Sequence, residues 1–305
     1  MARLHVSIAR TVLLLVVLLL AACRSFEVQR QQIFLRYEPE SDVLDAVLVS
    51  EGVGAHGSKD VDDTAKAVGS MGRGRRHFMV WDWPFEVDLD SAIASSKDKP
   101  LDRADPRAEF ASQFLEYERN ISVVDARFLL DDAHARRLCL LQRFRFEHAA
   151  RVLHLIDVAL NASLLQDSSR KEAVLTGDAR TDERMLARAR AGGSWARFDG
   201  KELEVTVPMS AEYAARQLGE YSKRLQASDR DWAVLAQIFD SLHSIRVTGE
   251  ELVLRFAPEE DGWIHFTLHD DERSYDPALA ERLARDSAIE AGRLEEAIRS
   301  VKARS

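Results

Sequence analysis

The sequence predicts an α+β fold of mainly antiparallel sheet with packed helices and a long C-terminal helix. Three observations carry that expectation. Strand-like segments occur in pairs joined by short turn-forming connections, which is how antiparallel sheet reads in sequence; the pairs are separated by segments of helical period. The 305 residues are 46% apolar, 30% charged and 8% aromatic, the content of a folded chain, and this excludes collagen-like, low-complexity and multi-span membrane classes. The 42 Lys+Arg stand against 51 Asp+Glu, a formal net charge of −9, which argues against nucleic acid as the main ligand.

Taken in order, 32–37 and 43–49 read as strands joined by Glu38-Pro39-Glu40-Ser41-Asp42, where proline and acids mark a turn. Val61, Ala65, Val68 and Met71 recur at helical spacing before Gly72 and Gly74. Residues 77–89 alternate, with His77, Met79, Trp81, Trp83, Phe85, Val87 and Leu89 on one side. This predicts a single strand with one buried face, and Pro84 places it at an edge or a bulge. Residues 91–107 carry Ser95-Ser96, Pro100 and Pro106 and few large apolar groups, so they read as a long surface loop or linker. The mature chain, 23–305, is therefore either one α+β region or two sub-domains, 26–90 and 108–305, joined by 91–107.

Two more strands, 122–130 and 138–146, flank the hairpin connection 131–137. A helix over 147–165 turns Ala149, Val152, Leu153, Ile156, Leu160 and Leu164 inward and Arg151, His154, Asp157 and Asn161 outward. The polar stretch 166–193 holds a helix from Thr181. Then come a strand at 202–207, helices at 211–226 and 229–242, and strands at 244–248, 251–256 and 263–269. One last helix runs from Pro277 to about Val301, started by Asp276-Pro277 as a cap followed by a proline whose missing N–H costs nothing in the first turn.

The N-terminus has its own signature. Arg3 and Arg10 precede an unbroken apolar run over 12–23, too short for the roughly 20 residues a spanning helix needs and within the range of a signal-peptide core. It ends in Leu20-Ala21-Ala22-Cys23. That end resembles the bacterial lipobox, which implies that residues 1–22 are a lipoprotein signal peptide and that Cys23 is lipidated on sulfur and becomes the mature N-terminus; the resemblance covers residues 1–23 only. An ordinary secretory signal or an uncleaved anchor is the alternative. In the lipoprotein pattern an aspartate after the cysteine retains the protein at the inner membrane. This chain has Arg24 there, which implies the outer membrane. With Cys23 lipidated, Cys139 alone remains, no intramolecular disulfide can form, and its setting in Leu138-Cys139-Leu140-Leu141 predicts a small buried hydrophobe.

Candidate chemistry is sparse. Gly52-Val53-Gly54-Ala55-His56-Gly57 matches the dinucleotide-binding glycine pattern, but the strand before it pairs as a hairpin, the helix begins only near Ser58, and the next strand alternates, so a loop is expected. His265 and His269 lie on a strand, roughly 13 Å apart at about 3.3 Å per residue, too far to share one metal. His154 and Asp157, one helical turn apart, read as a base and its orienter or as a solvated polar face. The acid clusters Asp131-Asp132, Glu259-Glu260-Asp261 and Asp270-Asp271-Glu272 lie in turns and lack the spacing of a calcium loop. Arg73-Gly74-Arg75-Arg76 and the row Arg180, Arg184, Arg188 suit an anionic lipid or glycan surface; the alternative is solvated arginines paired with nearby acids.

No catalytic residue, cofactor or metal is assigned. The expectation is a membrane-tethered envelope lipoprotein, held by its lipid anchor at the outer membrane and facing the periplasm, that binds or assembles with an envelope protein or an anionic lipid or glycan, with no nucleic-acid partner. A periplasmic carrier of lipid or another ligand, or an envelope enzyme without a recognisable motif, is the alternative.

Overall fold

The computed structural model describes residues 26–55, 61–71, 77–80, 83–86, 113, 117, 120–134, 136–168, 178–226, 241–270, 275–286 and 289–303. The leader with Cys23, the linker 91–107, Arg73 to Arg76 and nearly all of the expected helix 229–242 lie outside them.

The α+β fold is present. Its main body is a six-stranded sheet in the order β13-β2-β3-β8-β7-β14, formed by β2 (Arg30–Glu38), β3 (Val43–Glu51), β7 (Ile121–Asp131), β8 (Arg137–Glu147), β13 (Ile264–Asp270) and β14 (Glu290–Gly292). Every pairing is antiparallel except β14 on β7. A second sheet, wholly antiparallel, has the order β11-β12-β10-β9 and comprises β9 (Ala196–Asp199), β10 (Glu202–Pro208), β11 (Ser244–Thr248) and β12 (Glu251–Phe256). Two short pairs complete the strands: β1 (Phe26–Glu27) with β4 (Gly54–Ala55), and β5 (His77–Val80) with β6 (Trp83–Glu86). The six-stranded sheet draws β2 and β3 from 26–90 and its other four strands from 108–305, so the two stretches share one sheet instead of folding around separate ones.

Period-two patterning explains how the main sheet is packed. On one face Ile33, Leu35, Leu48, Phe144, Ile264 and Phe266 meet Val205, Val207, Leu252, Leu254 and Phe256 of the second sheet, with Tyr213 and Ala214 of α4 (Ala211–Gln226). Farther along that face, Leu130, Leu138 and Leu140 pack under α1 (Val61–Met71) and α5 (Ala278–Asp286). The opposite face carries Phe34, Val47, Val49, Leu129, Cys139 and Leu141 and is covered by α6 (Leu294–Ala303) through Leu294, Ala297, Ile298 and Val301. Cys139 is buried as expected, and burial pushes its thiol well above the ordinary range.

One helix is started by a long-range cap and two by local ones. Asp42, from the β2–β3 turn, accepts the Ala149 N–H on its carbonyl at 2.9 Å and the Ala150 N–H on Oδ1 at 3.0 Å, fixing the start of α2 (Ala149–Ser168). Asp178 caps α3 (Ala179–Arg190), accepting the Thr181 N–H at 3.0 Å. Asp276 does start α5, accepting from Ala278 N–H at 2.9 Å.

Several expectations need correction. Residues 77–89 are not one strand: β5 and β6 fold back on each other, with Val80 opposite Trp83. The register sets Phe78 opposite Phe85 and Met79 opposite Pro84, so face parity changes between the two strands and the single odd-numbered alternation does not continue through them. The expected core packing of Trp81, Trp83 and Phe85 concerns side chains outside those described. The single long C-terminal helix is two, α5 and α6, parted by β14. There Asp132 N–H donates to Gly292 O at 3.0 Å, and the buried Asp131 carboxylate accepts from Leu294 N–H at 3.2 Å, so the β7 edge and a cap for α6 outweigh helix propensity. Finally, Asp157 and Asn161 point inward, not outward, and β9 is an additional strand.

Candidate functional site

The arginine row singled out in the sequence lies on α3. Thr181, Met185 and Ala189 are buried on one side of this helix, where Met185 and Ala189 pack with Leu160, Leu164 and Trp195. The 3.6-residue period then places Arg180, Arg184 and Arg188 together on another side. What meets them is the tight turn between β11 and β12, in which Thr248 pairs with Glu251 and Gly249 takes φ +61°, the left-handed value a two-residue hairpin loop requires at its first position. This turn delivers two carboxylates to the row. Arg180 donates to Glu250 at 2.7 Å, Arg184 also pairs with Glu250, and Arg188 donates to Glu251 at 2.8 Å. The row is an interlocked charge ladder.

Beside it lies a cavity of about 210 Å³, lined by Arg188, Trp195, Arg197, Glu204, Thr206 and Glu251 among others. Its floor is rigid. Trp195 is buried, donates its backbone N–H to Asp157 at 2.7 Å and its indole N–H to Asn161 at 2.6 Å, and carries the Arg188 guanidinium 5.4 Å from its ring centre. Asn161 donates in turn to Gly193 O at 3.1 Å. Burial pushes the Asp157 carboxyl above its ordinary value, only partly offset by the Trp195 N–H and by Ser194. Glu204 is held between Arg197 at 3.2 Å and Arg255 at 3.1 Å. The lining thus offers hydrogen-bonding groups and charges of both signs. It is suited to polar recognition.

The other sequence candidates are dispersed. His154 is exposed, while Asp157 is buried and accepts the Trp195 N–H, so the carboxylate is engaged in holding Trp195. His265 stacks on Phe34 at 4.4 Å and meets Gln32 Oε1 at 3.0 Å; burial, and after it the positive charge of Lys302, lowers its pKa against the pull of Glu259. In the glycine pattern, Gly52 has φ +63° and its missing Cβ leaves room for the Gln29 side chain, Val53 N–H donates to Leu138 O at 2.9 Å, and Gly54 pairs with Glu27. These residues extend backbone pairing past the end of β3 and form the short pair with β1. Asp131 caps α6 and pairs with His134 Nδ1 at 2.6 Å, and Asp261 pairs with Lys302. Among the described residues no group of three or more His, Cys, Asp or Glu is disposed to hold a metal, and no helix is long and apolar enough to cross a membrane.

One charged centre had no precursor in the sequence reading. Asp45 on β3 lies between Arg36 on β2 and Arg145 on β8, in register across three strands, and Arg143 reaches it from two pairs along, the next position on the same face. It accepts from Arg36 at 3.0 Å, Arg143 at 2.8 Å, and Arg145 at 3.0 and 3.2 Å. Arg143 also donates to Val301 O at 3.0 Å, in the last turn of α6, where a cation complements the helix dipole. Burial raises the Asp45 carboxyl, but the hydrogen bonds from Arg145, Arg143 and Arg36 together hold it below its ordinary value. The available signal was cross-strand register, which local periodicity does not contain.

No protein-family model, curated protein or solved structure matches the chain.

Proposed function

We propose that this protein is a lipid-tethered component of a bacterial envelope, anchored through Cys23 at the outer membrane, whose α+β domain works by binding or assembly. The observation that carries the reading is the leader: Arg3 and Arg10, a short apolar core, and Leu20-Ala21-Ala22-Cys23 in that order. Several acyl chains, at about 0.8 kcal/mol per buried methylene, hold a protein at a membrane without help from its folded domain. Tethering raises local concentration, so weak contacts suffice. The chemistry around the cavity supports recognition over catalysis, because its arginines and glutamates are engaged with one another.

Metabolic acyl labelling of the full chain beside Cys23→Ala tests the tether. Label and membrane fractionation are expected in the first and lost in the second. Equal labelling of both would overturn the reading.

A further inference from the structure

Among the described residues, the second sheet ends in two edges of different character. At β9 the edge is four residues long and bears charges tied back into the sheet: Arg197 pairs with Glu204, and Asp199 with Arg255 at 3.4 Å. Short, charged edges discourage strand addition. At β11 the edge runs five residues, and positions 245–248 are all exposed. Ile245 and Val247 are 42% and 37% exposed, although their register partners Leu254 and Leu252 are each 1% exposed. The apolar face of the sheet therefore continues one strand beyond the core that covers it. Between these two residues, on the other face, stands the exposed Arg246. Unlike Arg180, Arg184, Arg188, Arg197 and Arg255, it has no ion-pair partner among the described residues.

We propose that β11 is a docking edge that accepts an extended segment of another protein as a fifth strand, with an acidic residue opposite Arg246 and apolar residues opposite Ile245 and Val247. The proposal rests on the binding reading above and names its partner chemistry. In strand addition, backbone hydrogen bonds provide affinity and alternate side chains provide specificity. Charge decides the occupant. The two-fold antiparallel pairing of two copies that uses all five residues sets Arg246 against Arg246, and like charges directly opposite are unfavourable. Shifting that pairing by two residues either way leaves only three strand positions. One shift places Ile245 opposite Gly249 in the turn, and the other places Val247 opposite His243 at a bend before the strand. A second copy is thus a poor fit and an acid-bearing strand a good one.

The test uses the full chain in detergent with two synthetic peptides, threonine-isoleucine-glutamate-valine-threonine and its counterpart with lysine in place of glutamate. Amide hydrogen exchange at 244–248 and peptide titration are the readouts. The glutamate peptide is expected to slow exchange across 244–248 and to bind about three- to tenfold tighter than the lysine peptide. In Arg246→Glu, checked by thermal melt to remain folded, the preference is expected to invert. Unchanged exchange in peptide excess, or protection with no charge preference and no inversion, would overturn the proposal. Exchange at 244–248 that is already slow without peptide and slows further with protein concentration would assign the edge to a second copy and overturn the occupant. None of these outcomes touches the tether, which acyl labelling reads separately.

Discussion

Two arginine triads lie in this protein and are built in opposite ways. Arg180, Arg184 and Arg188 come from a single helix, four residues apart, and their partners Glu250 and Glu251 sit in an open turn with side chains 57% and 47% exposed. Arg36, Arg143 and Arg145 come from two strands, converge on the single carboxylate of Asp45, and include a guanidinium of which nothing is exposed. In water the first arrangement gains little, because solvent screens the attraction and long side chains lose freedom when held. Inside the sheet the same ion pairs are interdependent. Removing Asp45 leaves Arg143 buried beside Trp263, 5.8 Å from its ring, with one fewer acceptor. The charged row that is easy to see in sequence is thus the one expected to be cheaper to break, and the costlier one to break is assembled from residues that look ordinary one at a time.

The sharpest way to break the comparison is Asp45→Ala, expected to destabilise by about 3–5 kcal/mol in denaturant unfolding, the usual cost of stranding a buried charge. A loss under 1 kcal/mol would place the two triads in the same class. Acid sharpens it next. The Asp45 carboxyl is held below its ordinary value, so the stability it contributes is fully present above the unfolded-state pKa of about 3.9 and is lost as pH falls through its folded-state value. Asp131 and Asp261, lowered likewise, act in the same direction. Unfolding free energy is therefore expected to decline below about pH 4, and Asp45→Asn should flatten that decline. The smallest effect belongs to the helical row. Arg180→Gln, whose ion pair is exposed on both sides, should cost no more than about 1 kcal/mol in the same assay.

Much of the framework was legible in the sequence. Alternation placed β2, β3, β7, β8 and β10 to β13 within a few residues, because a strand with one face toward a core must repeat every two residues. Proline and aspartate marked the turn before β3 and the start of α5. Where the structure departs from the local pattern, a distant segment supplies the reason. Periodicity predicts that Asp157 and Asn161 are solvated, as polar residues on an amphipathic helix normally are; the Trp195 loop gives both of them hydrogen bonds and so permits their burial. The cavity is illegible in the sequence for the same reason, since its lining comes from α3, β9, β10 and β12.

The sequence by itself determined the class of fold, the identity of most elements, the burial of Cys139 and the helical arginine row, all of which follow from periods of 2 and 3.6 acting over a dozen residues. Only the tertiary structure decided which segments meet. Arg143 finds Asp45 from 98 residues away and the Val301 carbonyl from 158, and β14 interrupts a continuous helical pattern because the β7 edge is there to pair with it. Local periodicity encodes which side of an element avoids water. It carries no information about what lies on that side, and a buried ion-pair network or an added strand depends on that.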